Sequence, residues 1–93
     1  MQAYEPLIWR PFTQMKNASV PFNVKSASNS NLYLDDGKKI IDAISSWWVI
    51  THGHCEKAIA EAIGDQASKL DQVLFANCSH DQAKELVNRL SSF

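Results

Sequence analysis

In the middle of the chain, apolar and polar residues alternate in three short runs, the pattern of strands that have one buried face. The runs lie at residues 22–24, 32–34 and 39–44. Turn-forming residues separate them, with Asn-Ser-Asn at 29–31 and then Asp36-Gly37, a pair that can adopt the positive φ values of a tight hairpin turn. We therefore predict a three-stranded antiparallel meander, which needs a covering layer because so small a sheet is marginal alone.

Two later segments repeat apolar residues at the spacing of an amphipathic helix. In the first, over residues 56–71, Ile59, Ile63 and Leu70 share a face, while Gly64 weakens the helix by about 1 kcal/mol relative to alanine. The second covers residues 80–92, and its apolar stripe consists of Ala83, Leu86, Val87, Leu90 and Phe93. Three strands followed by two helices predict the α+β class.

The start of the second helix carries a capping pattern, because Ser79 and Gln82 have the spacing of a capping box. We predict Ser79 as the N-cap, with His80 at the surface and Asp81 in the first turn, where a negative charge is favourable. The adjacency of Ser79, His80 and Asp81 is thereby explained as capping. A catalytic triad is assembled from distant segments and not from neighbours at a helix start.

Both ends of the chain carry apolar residues that need another surface. Residues 1–20 are irregular and contain Trp9 and Phe12 among polar neighbours, so we expect an N-terminal arm that lies on a different surface. The remaining residues, 21–93, form the predicted α+β unit. Its last apolar stripe runs to Phe93 with no capping glycine or polar tail, and we expect the chain to be the amino-terminal part of a longer protein.

Charge and composition narrow the function classes. The chain has 93 residues, of which 9 are basic and 10 acidic, and no basic block, so neither nucleic acid nor an anionic membrane is an expected partner. No apolar run approaches the roughly 18 residues of a membrane-spanning helix. Two cysteines without a CxxC motif indicate no disulfide framework, and we expect a reduced, cytoplasmic setting.

The adjacent Trp47 and Trp48 are the strongest candidates for a binding surface. Neighbouring residues in a strand-like segment point to opposite faces, so one indole is expected in the core and the other toward a pocket, ligand or partner. Tryptophan offers a broad apolar plane and one N–H donor, which suits a mostly hydrocarbon substrate. The alternative is that both rings belong to the core.

No complete catalytic constellation accompanies these aromatics. The three glycines, Gly37, Gly53 and Gly64, are scattered, so no glycine-rich loop is present to cradle a phosphate. A zinc site stays open as an alternative, but the spacing of its candidate ligands matches no common zinc finger. Those ligands are His52, His54, Cys55, Cys78 and His80.

Three segments resemble the opening blocks of one enzyme family. Residues 8–15 read IWRPFTQM, similar to its W-x-P-[YF]-T opening, and residues 42–48 read DAISSWW, followed by His52-Gly53, as in its next block. Between them, residues 36–42 read DGKKIID and resemble a hairpin common to class III aminotransferases. Over essentially its whole length the chain resembles the amino-terminal part of the adenosylmethionine-8-amino-7-oxononanoate aminotransferase family.

This resemblance implies a pyridoxal-phosphate-dependent homodimer of fold type I, of which this chain forms part of the small domain. The family transfers an amino group from S-adenosylmethionine to 8-amino-7-oxononanoate in biotin biosynthesis and yields 7,8-diaminononanoate. Its Schiff-base lysine, its pyridinium-binding aspartate and its phosphate loop fall beyond this segment, and none of the seven lysines here has a matching context. The chain therefore carries no catalytic or cofactor residue, and the isolated 93-residue chain is expected to be inactive.

Substrate recognition is the role that the resemblance assigns to this chain. It points to Trp47, with Trp48 beside it, and to Phe12, where many members have a tyrosine. Phenylalanine keeps the ring and lacks the hydroxyl, so an apolar contact is expected without its hydrogen bond. The amino donor stays open between S-adenosylmethionine and lysine. The alternative to an enzyme segment is a self-sufficient α+β ligand-binding or interaction module without catalysis.

Overall fold

The three predicted strands form one antiparallel sheet in the order β1-β2-β3. A computed structural model describes residues 7–93, so residues 1–6 of the predicted arm lie outside the described part. The strands are β1 (Val24–Ser28), β2 (Asn31–Leu34) and β3 (Lys39–Ile41). The meander and the α+β class are confirmed, although β1 begins at Val24 and extends to Ser28, beyond the predicted run at 22–24, and β3 ends at Ile41 and not at Ile44. The chain turns away from the sheet after Ile41.

One face of the sheet carries its best-protected apolar side chains. Ala27, Leu32 and Ile40 are paired in register across the three strands, lie on the same face and are half-buried. Leu34, two positions beyond Leu32 on that face, is 7% exposed and is the one buried apolar residue among those described. Period-two alternation along β2 thus predicted the more protected face correctly.

The two hairpin turns use the residues that the sequence indicated. Asn29 adopts a φ of 53° between β1 and β2, a left-handed conformation that asparagine tolerates better than most residues. Between β2 and β3, only Gly37 of the Asp36-Gly37 pair has a positive φ, 85°. Asp36 instead accepts a hydrogen bond from the Lys38 N–H through Oδ1 at 3.0 Å, which closes the turn as an Asx motif.

Two helices follow, α1 (Lys57–Lys69) and α2 (Asp81–Ser91), within the predicted segments. The predicted cap of α2 is wrong. His80, not Ser79, has the extended N-cap backbone, and its Nδ1 accepts the Ala83 N–H at 3.3 Å. His80 is also half-buried against Phe75, with ring centroids 5.2 Å apart at 87°, so it does not lie free on the surface.

The described residues form no shared core. Neither helix contacts the sheet or the other helix within residues 7–93, and their apolar stripes are exposed to solvent. The radius of gyration is 18.4 Å, whereas a compact chain of this length has about 12 Å. Neither helix has the length and apolar character that a membrane crossing needs. The apolar faces of both helices therefore need a further protein surface against which to pack.

Candidate functional site

The tryptophan pair lies on a left-handed turn and not on a strand. Ser45–Trp48 has φ values of 51°, 44°, 70° and 70° along its four residues. The turn is closed by the Trp48 N–H on the Ile44 carbonyl at 2.9 Å and the Val49 N–H on the Ser45 carbonyl at 3.0 Å. The prediction that the two rings lie on opposite faces of a strand is wrong, because the chain leaves the sheet before reaching them.

Such a turn needs support from its surroundings. Left-handed backbone costs a non-glycine residue roughly 1–2 kcal/mol, because Cβ approaches the following carbonyl oxygen. Four successive residues in this conformation persist only where neighbouring groups hold them, and such segments cluster at functional sites.

The turn brings one of the two indoles against the arm. The ring of Trp47 lies 5.3 Å from that of Phe12 between centroids, with the planes inclined at 50°. This distance and tilt are those of a favourable aromatic pair. Trp47 is still 52% exposed and Phe12 93% exposed, while Trp48 is 78% exposed. In the described part of the chain, neither tryptophan belongs to a core, and both present apolar area.

A small polar cluster lies directly behind the turn. One oxygen of Asp42, Oδ2, accepts hydrogen bonds from Ser46 Oγ and from His54 Nε2, both at 2.7 Å. The side chains of His54 and Asp42 are only 13% and 6% exposed. The N–H and hydroxyl of Ser46, with a smaller contribution from His54, lower the pKa of Asp42 from 3.8 to about 2. Because the carboxylate is ionised at neutral pH and only accepts, His54 Nε2 carries the proton that it donates.

The backbone around this cluster is anchored to the β1–β2 turn. The Asn29 and His54 backbones exchange two hydrogen bonds, of 3.2 and 2.7 Å, and the Asp42 N–H donates to the Ser30 carbonyl at 2.8 Å. Gly53 has a φ of 86°, and a Cβ there would lie 3.2 Å from Asn29 Cα. Both ends of the 42–54 loop therefore lie against the same hairpin. The close approach of position 53 to Asn29, together with its positive φ, requires glycine there.

Sequence reasoning missed Asp42 and Ser46. It placed both in or next to a strand, where residues four positions apart do not bond to each other. Three of the candidate zinc ligands have other partners, because His52 bonds to Thr51, His54 bonds to Asp42 and His80 caps α2, whereas both cysteines are free and exposed. The described residues contain no group of three or more potential ligands that could hold a metal ion.

The architecture matches known aminotransferases. The chain superimposes with a TM-score of 0.89 on adenosylmethionine-8-amino-7-oxononanoate aminotransferase from Methanocaldococcus jannaschii, at 31% identity over 98% of this chain and 22% of that one. A transaminase from the marine bacterium Virgibacillus gives a TM-score of 0.84 at 25% identity, covering 99% of this chain and 22% of that one. The fold is thus that of the amino-terminal part of a transaminase.

The family follows from the sequence. Residues 12–93 match the profile of the family Aminotransferase class-III. A relative from Synechococcus elongatus, named adenosylmethionine-8-amino-7-oxononanoate aminotransferase, is 47% identical over 85 residues, which cover 91% of this chain and 20% of the relative. The chain belongs to the class-III aminotransferase family, and it spans about a fifth of the length of the curated relatives that it matches.

Members of this family depend on pyridoxal phosphate. All seven lysines are exposed, and no two glycines lie together to form a phosphate loop. The described residues do not fit the cofactor, and their chemistry is that of an apolar aromatic surface supported by the part-buried hydrogen bond between His54 and Asp42.

Proposed function

We propose that this chain is the amino-terminal portion of an aminotransferase that transfers an amino group from S-adenosylmethionine to 8-amino-7-oxononanoate. In this proposal Trp47, Phe12 and Trp48 supply apolar contacts to the amino-ketone substrate. The observation that carries it is the contact between the Phe12 and Trp47 rings. These two residues belong to the two segments that resemble the family most specifically.

The chemistry of the substrate fits this surface. The oxononanoate chain is largely hydrocarbon, so an aromatic wall stabilises its bound form by about 25 cal/mol per Å² of apolar area that it covers. Trp47 and Trp48 keep much of their area exposed in the described chain, and that area is available for such a contact. The ring of Phe12 lacks a hydroxyl, so its contribution is apolar.

Pyridoxal phosphate would supply the electron-sink chemistry of the reaction, and its binding groups belong to other parts of the enzyme. The residues of this chain bind and orient the substrate and keep water from its apolar chain. We further propose that residues 1–20 form an arm over the active site, followed by the amino-terminal part of the small domain over residues 21–93. A cytoplasmic homodimer is part of the same proposal.

The self-sufficient binding module is not favoured by any observation. A domain that folds alone needs a core, and only Leu34 is buried among the described residues.

A hybrid enzyme tests the proposal. This chain replaces the matching segment of the Synechococcus elongatus relative, and the purified protein is assayed with 8-amino-7-oxononanoate and either S-adenosylmethionine or lysine. We expect formation of 7,8-diaminononanoate with S-adenosylmethionine as the donor. The unmodified relative serves as the control. A folded hybrid that binds pyridoxal phosphate but does not aminate the oxononanoate, while the parent does, would contradict the proposal.

A further inference from the structure

We propose that Asp42 is a positioning residue for the substrate-binding aromatics: through Ser46 and His54 it holds the left-handed turn that sets Trp47 against Phe12. The identity of the substrate in this statement rests on the proposed function, whereas the geometry does not. Asp42 itself lies behind the turn, so its effect on binding is indirect.

Asp42 is hydrogen-bonded directly to the left-handed turn. Its carboxylate accepts from Ser46 Oγ at 2.7 Å, and Ser46 is the second residue of the turn, directly before Trp47. Ser46 has a φ of 44°, a conformation that an L-residue adopts at a free-energy cost. A hydrogen bond to an ionised acceptor is stronger than a neutral one and therefore offsets part of that cost.

Asp42 also closes the loop that contains the turn. His54 lies twelve positions after Asp42, and its Nε2 donates to the same oxygen that Ser46 contacts. The bond joins the two ends of the loop that contains the turn, both of which are anchored to the β1–β2 hairpin. With both ends fixed, the loop has few alternative paths, and the Trp47 ring is confined to the neighbourhood of Phe12.

Asp42 and His54 are protected from solvent. Their side chains are only 6% and 13% exposed, whereas most of the described residues are exposed. Removing Asp42 takes the acceptor from both Ser46 Oγ and His54 Nε2, and a protected polar group that loses its partner destabilises the local structure by more than the net worth of the bond. The turn is thus expected to relax when the carboxylate is lost.

The test uses the hybrid enzyme with Asp42→Ala and Asp42→Asn, and with Asp36→Asn as the matched control. Asp36 is also a carboxylate that accepts a backbone N–H in this sheet, but it lies in the hairpin turn away from Trp47. We expect Asp42→Ala to raise the KM for 8-amino-7-oxononanoate about tenfold, with kcat changed less than about threefold, because the aromatic surface is misplaced. Asp42→Asn retains an oxygen acceptor and should recover most of the affinity, and Asp36→Asn should leave KM unchanged.

A crystal structure of the Asp42→Ala hybrid provides the readout that is independent of activity. We expect positive φ values to be lost at residues 45–48 and the ring centroids of Phe12 and Trp47 to separate beyond about 7 Å, the limit of an aromatic contact. If the turn and the ring contact stay intact, or if kcat and KM fall together in all three variants, the positioning role is overturned.

Two further variants keep the proposal testable if Asp42→Ala does not fold. Ser46→Ala removes only the hydroxyl bond and should raise KM about threefold, whereas an unchanged KM would count against the proposal. His54→Gln keeps an N–H donor, so its KM should equal that of the unmodified hybrid. If the unmodified hybrid does not aminate the oxononanoate at all, the proposed function fails while the crystal structures still decide the positioning role.

Discussion

The rings of Phe12 and Trp47 are in contact, with centroids 5.3 Å apart, although one belongs to the arm and the other to the loop after the sheet. Both residues have positive φ values, 50° and 70°. The contact therefore joins two segments whose backbones are each held in a sparsely populated conformation. An aromatic pair formed in this way is a preformed surface, which reduces the ordering that a ligand must induce.

The first prediction tests whether position 12 acts through its aromatic ring alone or also through a polar group. In the hybrid enzyme, Phe12→Ala should raise the KM for 8-amino-7-oxononanoate about fivefold, because about 1 kcal/mol of apolar contact is lost. Phe12→Tyr keeps the ring and should leave KM within about twofold of the wild type. Steady-state kinetics measures both variants. A large change in kcat for Phe12→Tyr would show that the hydroxyl has a role that the apolar account omits.

A second prediction concerns two glycines in different environments. Gly53→Ala should lower the free energy of unfolding by about 1–3 kcal/mol, because the position has a φ of 86° and the new Cβ would lie 3.2 Å from Asn29 Cα. Gly64 lies within α1, and a Cβ there would meet no atom within 4 Å. Gly64→Ala should therefore raise the free energy of unfolding by about 0.5–1 kcal/mol. Denaturant unfolding of the hybrid enzyme compares the two variants. Equal effects at both positions would contradict the close approach at Gly53.

The third prediction tests which residue caps α2. His80→Ala should destabilise the protein by up to about 1 kcal/mol, since the Ala83 N–H loses its acceptor and the edge contact with Phe75 is removed. Ser79→Ala should have little effect, because Ser79 makes no capping bond in this structure. Unfolding midpoints of the two hybrid variants decide between them. A larger loss for Ser79→Ala would restore the capping box that the sequence indicated.

The fourth prediction follows from the lowered pKa of Asp42. The folded-state pKa is about 2, below the ordinary value of 3.8, so the ionised carboxylate stabilises the fold above pH 3.8 and that contribution disappears as the pH falls through about 2. The difference in unfolding midpoint between the unmodified hybrid enzyme and its Asp42→Asn variant should be constant above about pH 5 and shrink between pH 3.8 and 2. Urea unfolding followed by tryptophan fluorescence measures it. An equal difference at pH 2.5 and pH 5 would show that the charge of Asp42 is immaterial.

The strands and helices could be predicted because their signals are local. Alternation around Leu32 and Leu34 and the turn chemistry at Gly37 depend only on neighbouring residues, as do the apolar stripes of α1 and α2. The cap of α2 was misplaced because serine is the commoner N-cap and nothing in the sequence shows that the histidine ring turns back to the Ala83 N–H.

The site was predictable only in part. The resemblance singled out Trp47 and Phe12, and the structure brings their rings together. The left-handed turn that carries Trp47 has no sequence signal, because serine and tryptophan have no preference for positive φ. The turn is held by Asp42 and His54, whose contact depends on the path of the whole loop between them. Such contacts are set by tertiary structure and not by local propensity.

The most direct test of the central claim is the KM for 8-amino-7-oxononanoate in the hybrid enzyme with Trp47→Ala, and with Trp47→Phe as the conservative control. Loss of about 60 Å² of apolar contact corresponds to about 1.5 kcal/mol, so Trp47→Ala should raise KM about tenfold. Trp47→Phe retains a ring and should raise it less than about threefold. A KM for Trp47→Ala equal to that of the unmodified hybrid would contradict the claim that this indole holds the substrate.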